Sequence, residues 1–169
     1  MKTAILGENT NRERLIFCYT LAYVKIQIEI ICDILHDIFF GEKTPRPFIQ
    51  LLEEGKTDDY GYLACYEIRV PNNFKKFNTI YVSLHNNDGN PLEVASTLLH
   101  ELVHHYNACR GIQDHSPDGL HNEAFRVAAE AHGLLVYEDE EYGYETELNP
   151  ETKKYVYDQL IAFKKWSLI

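Results

Sequence analysis

The sequence predicts a single α+β domain. Long helical patterns open and close the chain, a run of two-residue alternation between them gives a small sheet of about three strands, and no linker divides the 169 residues. Residues 11 to 40 carry the first helix. Leu21, Val24, Ile28, Ile31, Ile34, Leu35 and Ile38 supply its apolar faces, while Lys25, Glu29, Asp33 and Asp37 recur every four residues as one charged stripe. That stripe excludes a bilayer span, which needs about 20 mostly apolar positions. Gly41 ends the helix, and the Pro-containing segment Gly41 to Pro47 cannot resume it.

Phe48 to Leu52 is a short strand candidate, followed by a polar turn from Glu53 to Asp59. Tyr60 to Val70 and Thr79 to His85 alternate with a period of two and read as two further strands, separated by Pro71-Asn-Asn73. The last of these immediately precedes the next helix and is a candidate exposed edge for pairing with an extended substrate backbone. That helix starts at Asn90-Pro91-Leu92-Glu93, with Asn90 as cap, Pro91 in the first turn and Glu93 in the capping-box position. It should run to about Arg110, with Gly111 terminating it. A second helix from about Asn122 to His132 stops at Gly133, and Asn149-Pro150-Glu151 opens a last one. The domain core thus falls at about 11–136, with an acidic connection at 137–148 and a C-terminal helix at 149–169.

A hydrophobic fraction of 45% with 25% charged residues describes a soluble globular chain, and the net charge of −10 disfavours broad binding to phosphate backbones or anionic lipid. Cys18, Cys32, Cys65 and Cys109 form no C-x-x-C pair, and the polar start has no signal-peptide pattern, so reduced thiols and a cytoplasmic location are expected.

The chemistry is concentrated in His100-Glu101-Leu102-Val103-His104. Two histidines four apart share one face of a helix, so their imidazoles can converge on one ion with the glutamate beside them, as in the HExxH zinc peptidases. Burying three such groups without a metal or a full set of hydrogen bonds would be costly. Catalytic zinc takes three protein ligands and leaves a position open, so one more ligand is required. His105 points a helical step away from the pair, and His132 reads as a helix cap, leaving a donor from the intervening loop or the second helix. Asp114, Asp118 and Glu130 are candidates for orienting a ligand imidazole. His105, Tyr106, His115, Tyr142 and Tyr144 are candidate donors to a developing oxyanion.

The HExxH run, followed after a loop by Asp118-Gly-Leu-His121-Asn122-Glu123-Ala-Phe125, resembles the SprT-like zinc metalloprotease domain family. That family's pattern is HExxH, then a third histidine, a small or Asn residue and a Phe three residues on. The upstream order is also similar, so the resemblance covers about residues 15–136 and implies a small zincin-like domain. It implies one catalytic Zn²⁺ held by His100, His104 and His121, with Glu101 as general acid/base. Asn122-Glu123-Ala124 also looks like the Asn-Glu motif of gluzincins, with Glu123 as the competing third ligand. On one helix His121 and Glu123 would project about 200° apart, so only one of them can face the ion.

The resemblance implies hydrolysis of peptide bonds in extended protein substrates. It also implies a connection to DNA, which the net charge and the lack of a basic tail or zinc ribbon disfavour. A zinc-binding interaction module without turnover is the alternative, and Glu101 argues against it, because a structural site has no use for a carboxylate between two ligands.

Overall fold

A computed structural model describes residues 5–52, 64–69, 77–83 and 90–166. Helix α1 (Ile5–Phe39) leads into strand β1 (Phe48–Leu52), then β2 (Ala64–Arg69) and β3 (Phe77–Ser83). Helices α2 (Pro91–Cys109) and α3 (Glu123–Ala131) follow, then a hairpin of β4 (Leu134–Asp139) and β5 (Gly143–Leu148), and finally α4 (Pro150–Trp166). The α+β class and every predicted helix are present. Residues 53–63, 70–76 and 84–89, which include the predicted polar turn and the outer ends of two predicted strands, lie outside the described residues.

The first sheet has the order β1-β3-β2, with β3 parallel to β1 and antiparallel to β2. This overturns the expectation of an exposed edge at Thr79–His85. β3 is the central strand, with hydrogen-bonded neighbours on both sides, and Thr79 to Ser83 are all buried. Ile80 and Val82 face the main core, and Tyr81, on the opposite side of the strand, is covered as well.

The second correction concerns 137–148, expected as an acidic connection. Residues 134–148 form the antiparallel β4–β5 hairpin, with Leu134 opposite Leu148 and Asp139 opposite Gly143. Asp139 holds the turn by accepting hydrogen bonds from the backbone N–H groups of Glu141 and Tyr142, both at 2.8 Å. The acidic side chains Glu145 and Glu147 point to solvent, while Leu134 and Leu148 are buried.

The helix signals operate as read. The backbone N–H of Leu92 donates to Asn90 Oδ1 at 3.1 Å, Asn122 Oδ1 accepts from Ala124 at 2.8 Å, and Asn149 Oδ1 accepts from Thr152 at 2.8 Å. At the end of α2, Gly111 adopts a positive φ of 69° and the N–H of Ile112 returns to the Asn107 carbonyl at 2.9 Å. Gly133 is needed for space, because a Cβ there would lie 2.4 Å from Thr152 Oγ1.

α2 is the centre of the molecule. Ala95, Leu98, Leu99, Leu102 and Val103 are buried against Ile28, Ile31 and Leu35 of α1 and Ile80 and Val82 of β3. At roughly 1.5–3 kcal/mol for each large side chain, this burial anchors the helix that carries the HExxH motif. The Gly41–Pro47 link is tied down from both helices. His36 Nε2 donates to the Thr44 carbonyl at 2.8 Å, His105 Nε2 donates to the Pro45 carbonyl, and Arg46 pairs with Asp33 and Asp37 of the charged stripe. No helix among the described residues is long and apolar enough to cross a membrane.

Candidate metal centre

His100 and His104 lie one turn apart on α2, where both rings meet Phe125 of α3 and His100 meets Thr146 of β5. His121 comes to them from the loop before α3. It sits in an isolated bridge with His115, and its backbone N–H donates to the Tyr142 carbonyl at 2.9 Å. Asn122, the α3 cap, is fixed by its own N–H to the Asp114 carbonyl and its side chain to the Gln113 carbonyl, both at 3.0 Å. The cap thereby sets where His121 points.

The three imidazoles converge through their Nε2 atoms. His104 Nε2 lies 3.2 Å from His100 Nε2 and 3.2 Å from His121 Nε2. Two nitrogens bound tetrahedrally to one ion at about 2.0–2.1 Å would stand about 3.3 Å apart, so the spacing fits a shared cation.

The opposite nitrogens have partners of their own. His121 Nδ1 donates to the Tyr144 carbonyl at 2.7 Å and His104 Nδ1 to Asp114 Oδ2 at 2.8 Å, the tautomers in which Nε2 is the nitrogen that can bind a metal. Burial, reinforced by the neighbouring His104, pushes His121 down to about 4 and holds His100 well below the usual histidine range. His100 and His121 are therefore held towards the neutral, metal-binding form of the ring. His100, His104 and His121 form a group able to hold a metal ion.

Phe125 supplies the apolar floor. Its ring, fully buried, stacks on His121 at 4.1 Å between centroids and lies 4.7–4.8 Å from the rings of His104 and His100. Glu101 is also buried, at 6% exposure, between His100 and His104 in sequence. The hydrogen bond to Asp114, with a smaller contribution from the Glu101 carboxylate, raises His115 above the usual histidine range.

Of the three carboxylates expected to orient a ligand, the structure selects Asp114. It is buried, and its Oδ2 accepts from His104 Nδ1 and from Asn107 Nδ2 at 3.1 Å, while Oδ1 accepts from His115 Nδ1 at 2.8 Å. Burial pushes the Asp114 carboxyl up, but these donors outweigh it and hold the group far below the ordinary carboxylate range. Asp118 is exposed, and Glu130 is occupied by Arg126. If the group holds a metal ion, Asp114→Asn should therefore weaken its binding by about 10–100-fold in a chelator competition, with Asp118→Asn unchanged. Equal affinities for the two variants would remove Asp114 from the centre.

The remaining candidates separate cleanly. Glu123 turns outwards, 63% exposed, into a pair with Arg126, which leaves the gluzincin-type assignment without support from the geometry. His105 is buried on the far side of α2 against the Pro45 carbonyl, and Tyr106 packs with Phe40 and His132, so neither is a donor at the centre. His132 caps α3, its Nδ1 donating to the Ala128 carbonyl at 2.6 Å. His115 stays near, its ring parallel to His104 at 4.9 Å and half-exposed. Tyr144 and His121 border a cavity of about 550 Å³, together with Glu123, Glu138 and Glu140.

The contribution of β5 is absent from the sequence expectations. The Tyr144 carbonyl holds His121, and Thr146 Oγ1 lies 2.8 Å from His100 Nδ1. Tyr144, Thr146 and Leu148 alternate with Glu145 and Glu147, a strand signal hidden within the surrounding acidic run. No family model, curated protein or solved structure matches the chain.

Proposed function

We propose that this chain is a zinc-dependent metallopeptidase that hydrolyses peptide bonds in extended protein segments. The observation that carries the proposal is the convergence of three Nε2 atoms, each imidazole fixed from behind by its own partner, with Glu101 buried beside them. Histidine nitrogens in a three-ligand set suit zinc, and His100, His104 and His121 would hold it. What a bound zinc ion supplies there is a lowered pKa for water, to about 7, and polarisation of a carbonyl oxygen.

The chain's own residues do the rest. Asp114 keeps the His104 proton on Nδ1 and so keeps Nε2 free for the metal. Glu101 takes the proton of the attacking water on a carboxylate oxygen and delivers it to the leaving amine nitrogen. Phe125 closes the inner side of the centre to solvent, which strengthens every electrostatic contact made there.

The reading is tested by incubating the zinc-loaded protein with an unfolded protein substrate, with and without a chelator and with and without single-stranded DNA. Cleavage should vanish on chelation and return with zinc. DNA should not stimulate it, since a net charge of −10 repels the phosphate backbone. Tight zinc binding with no cleavage of any substrate would instead support an interaction module.

A further inference from the structure

We propose that Thr146 is a positioning residue of the metal centre, its hydroxyl fixing the His100 imidazole so that strand β5 and helix α2 form one cradle. The inference rests on the reading of His100, His104 and His121 as metal ligands and adds to it a residue 46 positions away from His100 in sequence.

The hydrogen bond is the first support. Thr146 Oγ1 lies 2.8 Å from His100 Nδ1, and an Nδ1–H donated to that oxygen leaves the His100 Nε2 lone pair for the ion, as Asp114 does for His104 and the Tyr144 carbonyl for His121. Every ligand then has its own partner, and two of the three partners come from β5.

The path of the strand is the second support. Tyr142 and Tyr144 take the backbone N–H and the ring Nδ1 of His121, and Gly143 between them adopts a φ of +79°. A Cβ at that position would lie 2.5 Å from the His121 carbonyl oxygen, so β5 passes against the third ligand more closely than any other residue would allow. From Tyr144, two residues further on, the pleat returns to the same face and presents residue 146 to α2. Threonine suits this place because its branched Cβ is stiff in a strand, which holds the hydroxyl in one direction at little entropic cost.

The coupling is reciprocal. If attachment of the hairpin to α2 raises metal affinity, metal binding must strengthen that attachment by the same factor. Zinc should therefore slow amide exchange in residues 143–148 as well as in α2.

The experiment compares wild type with Thr146→Val, Thr146→Ala and Thr146→Ser. It measures zinc affinity by chelator competition, the visible spectrum of the cobalt(II) forms, and amide exchange of β5 with and without zinc. Circular dichroism of the metal-free forms confirms that each variant is folded. Val and Ala should lose about 10–100-fold in zinc affinity, alter the cobalt spectrum and lose most of the zinc-dependent protection of β5, whereas Ser should stay close to wild type.

A Val variant that binds zinc as tightly as wild type overturns the proposal. So does a Ser variant as weak as Val, since that would mean packing rather than the hydroxyl. Because these readouts need no turnover, failure here is distinct from failure of the peptidase reading. A wild type that binds no zinc would end both.

Discussion

Glu101→Gln is expected to keep its zinc and to lower peptide hydrolysis by about 10²–10⁴-fold, the usual contribution of a general acid/base. The substitution keeps the size and most of the hydrogen-bonding capacity of the side chain, which matters at a position only 6% exposed and packed inside α2. It removes the one property that the mechanism requires, a carboxylate able to accept a proton and release it to the amine. His100 and His104 flank Glu101 without depending on it, since their Nδ1 atoms are fixed by Thr146 and Asp114. Zinc stoichiometry and thermal midpoint should therefore match wild type. Initial rates on an unfolded substrate, measured beside metal content, check the prediction. A variant that retains zinc and cleaves at the wild-type rate would show that Glu101 is not the acid/base.

Much of this centre is legible in the sequence because its first half is local. A spacing of four on a helix is enough to bring His100 and His104 together, and the Asn90-Pro91 start with Gly111 past the end marks the limits of that helix. The expectation for His121 rests on the spacing of His121, Asn122 and Phe125. In the structure all three act on the centre in different ways. His121 converges on the other imidazoles, Asn122 caps α3, and Phe125 stacks on His104 and His121 and packs tilted against His100.

What cannot be read is non-local. Whether β3 is an edge or a centre depends on which strands pair with it, and alternation of side chains carries no such information. The identity of Asp114 as the partner of His104 depends on a loop folding back over α2, and Asp118 in the same loop has equal claim on composition alone. The hairpin is obscured for a different reason. Glu138, Glu140, Glu145 and Glu147 dominate its composition and all four are exposed, Glu140 in the turn and Glu145 and Glu147 on the outer face, while Tyr144 and Thr146 occupy the inner one, with Glu138 opposite Tyr144 beside the turn. The acidity that suggests a solvated connection therefore belongs to the exposed positions of a strand pair that backs the histidine cluster.

The choice between His121 and Glu123 gives the second large effect. Structural zinc sites bind with roughly 10–16 kcal/mol shared over four ligands, so each ligand carries about 3–4 kcal/mol and its loss costs roughly 10²–10³-fold in affinity. His121→Ala should show a drop of that size. It should also lower the thermal midpoint of the metal-free protein, because the Tyr144 carbonyl loses its donor and Phe125 loses the ring stacked on it at 4.1 Å. Glu123→Gln should leave zinc affinity unchanged, since that carboxylate is 63% exposed and held by Arg126. The pair with Arg126 is exposed and screened by solvent, so its thermal midpoint should barely move. The two variants lie only two residues apart yet are expected to differ by orders of magnitude in zinc affinity, measured by chelator competition on proteins shown to be folded. The reverse order, with Glu123→Gln releasing zinc and His121→Ala retaining it, would require the loop before α3 to rotate on metal binding and would transfer the third ligand to the glutamate.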